Sequence, residues 1–470
     1  MSNPGDADST PITSVRQLTE YIAVGCKPSA RFRIGTEHEK FGFRLPDLTP
    51  PPYLPADGQP GAIRDLLESL QRTAGEPSAD NGPILDDGNL IGLRQHDASV
   101  SLEPAGQLEL SGAPLATLHD TKAELEAHFA QLRCPSRDLR IGFAPLGFHP
   151  LATRAAMPWM PKGRYALMRR YMPTVGTLGL DMMTRTCTVQ VNLDYASEAD
   201  MRRKLRVSLL LQPLATALFA NSPFTEGQPN GFQSYRAHVW TDTDNQRSGI
   251  PAVFFENGFG FERYTEWLLD DLPMYFVYRD GAYIDVAGQP FRAFINGKLL
   301  SPIGSGPVRI VPTIGDFTDH MTTAFTDVRL KRFLEMRGAD AGSPEMMLAQ
   351  SALWVGLLYD DAALAAAEAL VRGLGHADAL ALRAAVPKQG IATPFGSGTL
   401  RELARDVVAI ACDGLRARGC RDTTGADESA YLAPLEAIVA GGPTQAEYWL
   451  ARYLGDWHGD ARRIFAEAVI

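Results

Sequence analysis

The sequence predicts an α+β fold, with strands in the first part of the chain and helices in the last part. The run 186–195 alternates polar and apolar residues with the period of two that is expected of a β-strand. Beyond Leu353 the chain becomes rich in alanine and leucine, which favours a helical C-terminal region. Strands and helices do not alternate regularly, so a parallel α/β sheet is not expected.

The helices are predicted from capping residues and apolar periodicity. Ser197 and Asp200 have the spacing of a helix cap, and they precede a long apolar helix that runs to about residue 221 with a kink at Pro213. The other predicted helices are 115–131, 360–372, 400–418, 431–439 and 445–453. We therefore expect a sheet-based core with surrounding helices over residues 1–350. A helical region over 351–470 packs on it, in one compact domain.

Composition and charge exclude several classes of protein. The chain has 470 residues, of which 45% are hydrophobic and 21% charged, which is ordinary for a globular protein. Its formal net charge of −10 argues against non-specific binding to nucleic acid or to an anionic membrane. The longest apolar stretch, 208–220, is interrupted by Gln212 and Pro213 and is too short to span a bilayer. We expect neither nucleic-acid nor membrane partners, although a local arginine cluster can still bind an anionic substrate.

The cysteines and the N-terminus indicate a cytoplasmic protein. The five cysteines are widely spaced and form no CxxC motif, so a reducing compartment is expected. Residues 1–13 are polar and acidic and have no feature of a secretory signal or an organelle transit peptide.

Several familiar catalytic motifs are missing from the sequence. It contains no GxxxxGK[ST] phosphate loop, no GxGxxG opening a helix, no HExxH and no GxSxG. If the protein handles a nucleotide, it does so without a glycine-rich phosphate cradle.

Two pairs of glutamates on predicted strands are the strongest chemical signal. Glu37 and Glu39 are two residues apart, so in a strand they point to the same face, roughly 6–7 Å from each other. Glu103 and Glu109 alternate with leucines around a Pro-Ala-Gly turn. Four such carboxylates suit a hard divalent cation, and because no His/Cys cluster exists for zinc, the expected ion is Mg²⁺. The alternative is two unrelated, solvated polar faces. His38 faces away from the glutamates and is expected in the core.

Six segments resemble the plant-type glutamate–cysteine ligases. They are 35–43 (GTEHEKFGF), 101–112 (SLEPAGQLELSG), 185–195 (RTCTVQVNLDY), 234–244 (SYRAHVWTDTD), 273–279 (PMYFVYR) and 329–340 (RLKRFLEMRGAD). The resemblance is collinear from about residue 10 to the C-terminus. The family occurs in plants and in many bacteria, and a chain without a transit peptide resembles a bacterial, cytosolic member.

The resemblance implies a fold and a reaction. The fold is a glutamine-synthetase-like catalytic core, with an antiparallel sheet curved into a funnel and helices packed outside. The reaction joins the γ-carboxylate of L-glutamate to the amine of L-cysteine with ATP as co-substrate, through γ-glutamyl phosphate, in the first step of glutathione synthesis. Mg²⁺, for which Mn²⁺ can substitute, would be held by the four glutamates.

The resemblance also assigns roles to further residues. Glu335 is expected as an additional metal ligand, and Gln190 or Asn192 as a neutral oxygen donor. Arg236 and Arg337 are expected to stabilise the oxyanion of the acyl-transfer step, and Arg164 to bind phosphate. For each arginine the alternative is a surface ion pair. Tyr275 and Tyr278 are candidates for the cysteine pocket, with core packing as the alternative.

Partners and alternatives complete the sequence-based expectations. Glutathione is a possible feedback inhibitor, and the protein is expected to be a monomer or a homodimer. A related ligase that joins glutamate to another amine, or a non-catalytic binding protein with the same fold, are the alternative functions. Plant members carry regulatory disulfides, which raises the question of a Cys187–Cys412 bridge. An inert, buried Cys187 thiol is the favoured expectation, because its strand face is apolar.

Overall fold

The computed structural model describes residues 8–55, 61–73, 78 and 81–470. The N-terminal residues 1–7, part of the segment in which a targeting signal was sought, lie outside this description. The described strands are β1 (Ile34–Arg44), β2 (Asn81–Asp86), β3 (Asn89–Gln95), β4 (Ala98–Leu102), β5 (Leu108–Ser111), β6 (Ile141–Ala144), β7 (Thr188–Leu193), β8 (Phe224–Thr225), β9 (Gln228–Pro229), β10 (Ser248–Gly249), β11 (Phe276–Arg279), β12 (Ala282–Asp285), β13 (Phe325–Thr326), β14 (Val328–Leu330), β15 (Leu334–Asp340), β16 (Pro394–Phe395) and β17 (Gly398–Thr399).

The described α-helices are distributed along the chain and become dominant after β15. They are α1 (Val15–Ala23), α2 (Ile63–Thr73), α3 (Leu118–Leu139), α4 (Gly163–Tyr171), α5 (Gly179–Arg185), α6 (Glu198–Leu218), α7 (Tyr235–Val239), α8 (Phe261–Asp270), α9 (Phe291–Ile295), α10 (Ile314–Thr322), α11 (Pro344–Leu358), α12 (Asp361–Leu370), α13 (His376–Gln389), α14 (Leu400–Arg418), α15 (Ala433–Val439), α16 (Gln445–Leu454) and α17 (Ile464–Ala468). None of these helices is both long enough and apolar enough to cross a membrane.

The main sheet has nine antiparallel strands among the described residues. Its order is β14-β15-β7-β1-β5-β4-β3-β2, and β6 pairs with the second half of β1. This mixture of an antiparallel sheet with helices confirms the predicted α+β class. The central strand β1 lies between β5 and β7, so its side chains are positioned by neighbours on both sides.

The two faces of the sheet are covered differently. Helices α3, α6 and α11 pack on the apolar face, where the Thr36 and Ser351 hydroxyls form a 2.7 Å hydrogen bond between β1 and α11. His38 lies on this face against His128, with 5.4 Å between ring centroids, as its position in β1 predicts. Every residue of α11 from Met346 to Leu358 is buried, which is typical of a helix inside a core. Residues of α4, α5 and α7 lie over the polar face.

Most of the predicted helices are found close to their expected bounds, but the helix expected over 115–131 spans Leu118–Leu139 and so ends eight residues later. The long helix α6 begins after its Ser197 cap and contains Pro213, and α14 has the bounds 400–418. The proposed division at residue 350 falls inside α11, and one apolar core includes residues from Leu18 to Val439. The sheet and the C-terminal helices therefore share their packing.

The five cysteines are all free thiols. Cys187 is fully buried in an apolar cluster with Phe41 and Phe43, and Cys412 lies in a different cluster, where its thiol donates to Glu436. This arrangement agrees with the expectation that Cys187 is an inert, buried thiol.

Candidate active site

Three carboxylates from neighbouring strands meet on the polar face of the sheet. Glu39 on β1 lies directly opposite Glu109 on β5, and Glu103 follows the last residue of β4. One oxygen from each carboxylate lies within 4.8 Å of the corresponding oxygens of the other two. A cation between them would be about 2.0–2.6 Å from each oxygen, the range of Mg²⁺ and Ca²⁺ sites. We call Glu39, Glu103 and Glu109 the acid cluster.

A tight turn brings Glu103 to the same side as Glu109. The Gly106 amide donates to the Glu103 carbonyl, and the Glu103 amide donates to the Gln107 carbonyl, both at 2.9 Å. Gly106 has a φ of +85°, a conformation that a residue with a Cβ rarely adopts. The Gln107 side chain donates to the carbonyls of Met183 and Thr186, which anchors the turn beneath α5.

The acid cluster is electrostatically strained without a cation. Burial, together with the charges of Glu103 and Glu109, raises the pKa of Glu39 well above its usual range. Burial and Glu103 also raise the pKa of Glu109. Within the described part of the chain, no lysine or arginine forms an ion pair with any of the three. Three oxygen donors whose negative charges repel one another fit a hard divalent cation.

Glu37 lines the same cavity but lies outside the acid cluster. It faces Gln190 across β1 and β7, and its carboxylate accepts hydrogen bonds from Gln190 (3.3 Å) and Asn192 (2.8 Å). The structure thus brings three of the four predicted glutamates into one cluster and places the fourth beside amide donors. The metal-binding roles stay predictions.

Glu335 occupies a different electrostatic environment. Arg329 forms a two-pronged ion pair with it at 2.5 and 2.9 Å, and Arg337 and Lys331 lie at 3.2 and 3.6 Å. Although burial alone would raise it, these three cations hold the pKa of Glu335 well below its usual range. The side chain is fully buried and belongs to this basic group rather than to the acid cluster. Its predicted role as a metal ligand stays untested, and its contacts indicate that it orients Arg337.

Two predicted catalytic arginines line the cavity that contains the acid cluster. The Arg337 guanidinium donates to Gln190, while the Arg236 guanidinium donates to the Arg337 backbone carbonyl at 2.9 Å. Arg164 on α4 lines the same cavity and lies over the Phe276 ring, 5.5 Å from its centroid. All three arginines therefore line one cavity, and their catalytic and phosphate-binding roles stay predictions.

A β-bulge makes the contact between Arg236 and Arg337 available. The register of β15 against β7 shifts between Met336 and Ala339, so two residues, Arg337 and Gly338, oppose one. The Arg337 carbonyl thereby leaves the regular ladder and accepts from Arg236.

The cavity has a volume of about 110 Å³ and has acids and arginines in its wall. Its charged and polar lining residues are Glu37, Glu39, Glu103, Glu109, Gln107, Thr186, Thr188, Gln190, Arg164, Tyr165, Arg236, Thr322, Arg329 and Arg337.

Tyr275 and Tyr278 are absent from the described lining of this cavity. The Tyr275 hydroxyl lies 3.2 Å from Asp244, and the Arg247 guanidinium covers its ring at 3.9 Å, so Tyr275 belongs to a buried structural network. Tyr278 contacts Tyr283, with 4.8 Å between ring centroids. These contacts are compatible with core packing, the alternative considered for each, and the predicted role of the two tyrosines in a cysteine pocket stays a prediction.

Several site residues were not anticipated from the sequence. The Tyr165 hydroxyl lies 3.2 Å from Glu103, and the buried Lys162 ammonium donates to the Leu102 carbonyl at 2.6 Å. Arg329 lies in the segment 329–340, one of the segments that carried the resemblance. Its position six residues before Glu335 was the signal in the sequence that could have indicated a role at the site. Nothing in the sequence near Tyr165 indicates its contact with Glu103, because 62 residues separate the two.

The fold and the site define a class of protein. The structure is similar to the crystal structure of a glutamate–cysteine ligase from Francisella tularensis in complex with AMP. The TM-score is 0.53 at 12% sequence identity, over 93% of this chain and 87% of that one. This likeness shows a glutamine-synthetase-like fold.

Sequence comparison identifies the family. The model of glutamate–cysteine ligase family 2 matches residues 33–467, and the chain belongs to this family. It is 48% identical to the chloroplastic glutamate–cysteine ligase of Arabidopsis thaliana over 96% of this chain and 82% of that protein. It is 47% identical to chloroplastic glutamate–cysteine ligase A of Oryza sativa subsp. japonica over 97% of this chain and 88% of that protein.

Proposed function

We propose that this protein joins the γ-carboxylate of L-glutamate to the amine of L-cysteine in an ATP-dependent reaction, the first step of glutathione synthesis. One observation carries the proposal: the acid cluster and the arginines Arg236 and Arg337 line one cavity. Activating a carboxylate with ATP requires both kinds of group, since two anions must approach and an oxyanion must then be stabilised.

The acid cluster serves the first half-reaction. The γ-carboxylate oxygen of glutamate attacks the γ-phosphorus of ATP, and the bond to ADP breaks. Bound Mg²⁺, or Mn²⁺ in its place, would neutralise the charge on the approaching anions. Glu39, Glu103 and Glu109 would hold the metal, with Glu37 beside it. Arg164 would bind phosphate from α4.

The arginines serve the second half-reaction. The cysteine amine attacks the acyl carbon of γ-glutamyl phosphate, phosphate leaves, and the amine loses a proton. The negative charge on the acyl oxygen needs donors that are already in position. Arg236 is buried, the Arg337 side chain is 14% exposed, and both carry permanent charge and are oriented by hydrogen bonds, so they meet this requirement.

The proposal extends to the protein's surroundings. We place it in the cytoplasm, supported by five free cysteines. Glutathione, as the end product, would act as a feedback inhibitor, and the protein would work as a monomer or homodimer without nucleic-acid or membrane partners.

The test is ADP release with glutamate and a panel of amines, namely cysteine, 2-aminobutyrate, glycine and ammonia. Cysteine should give the highest kcat/KM, and mass spectrometry should show γ-glutamylcysteine. Omission of glutamate should abolish the amine-dependent release. A higher kcat/KM with another amine would favour the related ligase, and no ADP with any amine would contradict the proposal.

A further inference from the structure

Asp340 lies at the end of β15, buried behind the helix that carries Arg236. Its Oδ2 accepts hydrogen bonds from the Ser222 hydroxyl (2.6 Å) and the Asn221 amide (2.8 Å), and its Oδ1 accepts from the Ser234 hydroxyl at 2.7 Å. Asp340 is 1% exposed and is not among the described residues that line the acid-cluster cavity.

The two serines connect Asp340 to the first turn of α7. The Ser222 hydroxyl oxygen accepts the Arg236 amide, and the Ser234 hydroxyl oxygen accepts the Ala237 amide, both at 3.1 Å. Ser234 is the N-cap of α7. A chain of hydrogen bonds thus runs from the Asp340 carboxylate through one hydroxyl to the backbone of Arg236 itself.

The direction of these hydrogen bonds depends on the carboxylate. A hydroxyl has one proton to donate, and an ionised carboxylate can only accept. Because Ser222 and Ser234 both donate to Asp340, each hydroxyl must turn its lone pairs toward the amides of α7. Hydrogen bonds to a charged partner are also stronger than neutral ones.

Helix α7 needs such support because it has only five residues. A helix of this length has little stability of its own, and the conformation of its first turn is set by its caps. The guanidinium of Arg236 is held at its other end by the Arg337 carbonyl, three residues before Asp340 on β15. The same strand therefore holds both the backbone and the tip of Arg236.

We propose that Asp340 is a positioning residue for Arg236, acting through the hydroxyls of Ser222 and Ser234. This inference rests on the function proposed above, in which Arg236 contacts the reacting atoms. Asp340 orders the serine hydroxyls, the hydroxyls fix the first turn of α7, and the turn fixes where the guanidinium enters the cavity.

The hydrogen bonds that run from Asp340 through the two serine hydroxyls to α7 form a relay. The Asp340→Asn variant changes the direction of hydrogen bonding in this relay and keeps the side-chain volume nearly constant. The amide oxygen should take the Oδ2 position, which accepts two hydrogen bonds, so the NH₂ group faces Ser234. The Ser234 hydroxyl then meets two donors and loses the acceptor for its own proton. A longer side chain is unsuitable, because a Cβ at Gly147 would already lie only 2.4 Å from the Asp340 side chain, which shows how closely the backbone packs there.

The kinetic test is a double-mutant cycle with Arg236→Lys. Asp340→Asn should lower kcat about 10- to 100-fold, the scale of a small misplacement of a catalytic group, with the KM for ATP within about twofold of the wild type. In the Arg236→Lys background the same change should cost less than about twofold, because the group it positions is already altered. An equal loss in both backgrounds, or no loss in the wild-type background, would overturn the proposal.

A second measurement does not depend on activity. Amide hydrogen exchange over 235–239 should accelerate in Asp340→Asn and in Ser234→Ala, and the double variant should show no further increase. The matched control is Ser197→Ala, which removes the N-cap of α6 and should leave both this exchange and kcat unchanged. Unchanged exchange in Asp340→Asn would overturn the relay. If the proposed function itself is wrong, the wild-type protein will release no ADP with glutamate and cysteine, which is seen before any variant is measured.

Discussion

The acid cluster and the Glu335 site lie on the same sheet, yet they solve the problem of buried negative charge in opposite ways. Glu39, Glu103 and Glu109 crowd together without an ion-pair partner among the described residues. Glu335 is fully buried but is surrounded by Arg329, Lys331 and Arg337. The pKa of Glu39 is consequently raised by burial and its acidic neighbours, whereas the cations lower the pKa of Glu335.

This difference teaches that the partners of a carboxylate, rather than its burial or its strand position, determine its chemistry. The acid cluster stores unfavourable charge that a divalent cation can relieve. At Glu335 the charge is already neutralised, and the surplus of cations remains for anionic substrate groups. The cavity is therefore negative on the side of β5 and positive on the side of β15.

The largest expected effect is at the acid cluster. Glu39→Gln removes one charge from the proposed metal site and should lower turnover roughly a thousandfold or more at saturating substrates. ADP release measures this, and thermal unfolding checks that the fold is intact. Glu368→Gln, which breaks a surface ion pair with Arg203, is the control and should retain full activity. A loss of turnover below about tenfold in Glu39→Gln would mean that the acid cluster and the Glu335 site do not differ in function as proposed.

The next largest effect is expected at the arginines of the cavity, and Arg236→Lys tests it. Lysine keeps the charge but loses the planar fork of donors, so turnover at saturating substrates should fall roughly 10²–10³-fold. Steady-state kinetics with glutamate, cysteine and ATP measure the loss. Wild-type-like turnover would mean that charge alone suffices at this position.

Glu335→Gln should lower the stability of the fold more than it weakens metal binding. Removing the carboxylate charge leaves the buried Arg329 and the partly exposed Lys331 and Arg337 poorly compensated, which should cost roughly 3 kcal/mol of unfolding free energy. Urea denaturation measures this cost, and a Mg²⁺ titration of activity should keep its midpoint. A shifted midpoint with unchanged stability would instead support Glu335 as a metal ligand.

A smaller effect follows from the raised pKa values of Glu39 and Glu109. A carboxyl whose pKa is raised in the folded state stabilises the fold at pH values below its ordinary pKa of 4.5. This stabilisation is lost as the pH rises through the folded-state pKa. Mg²⁺ requires deprotonated ligands, so its stabilising effect, about 1–3 kcal/mol at saturation, should grow with pH. Calorimetry at about pH 5.5 and 8, with and without Mg²⁺, tests this. The same Mg²⁺ effect in Glu39→Gln would contradict the assignment.

The smallest expected effect concerns Cys187. Burial, with the nearby charge of Glu39, raises the pKa of its thiol well above the usual range, so it carries no reactive thiolate. Dithiothreitol should change activity by less than about twofold, since no thiol of this chain is paired. A several-fold, reversible loss that Cys187→Ser abolishes would reveal a disulfide.

Periodicity and capping residues predicted the parts of the fold in which the relevant forces act locally. The bounds of α14 and the cap of α6 depend on residues within a few positions of each other. The shared face of Glu37 and Glu39 follows from the pleat of one strand. The boundary at residue 350 was expected from a change in composition, and it falls within the continuous helix α11.

Strand alternation also predicted that Glu37 and Glu39 share one face and that Glu103 and Glu109 lie on a polar face, but it did not distinguish their partners. Glu39 faces Glu109 while Glu37 faces Gln190, and only the register of β1 with its two neighbours creates that difference. Tyr275 is a further example, because its burial against Arg247 depends on a loop 28 residues away in sequence.

The sequence alone determined the α+β class, the long helices, the acidic strand faces and the resemblance to the ligase family, since these are written in neighbouring residues and long motifs. The tertiary structure decided which carboxylates share a site, which one is neutralised by arginines, and how Asp340 reaches Arg236 through two serines. These outcomes depend on strand register, a bulge at Arg337 and contacts between residues more than a hundred positions apart. Electrostatic energy depends on distance in space, and a sequence specifies that distance only after the chain has folded.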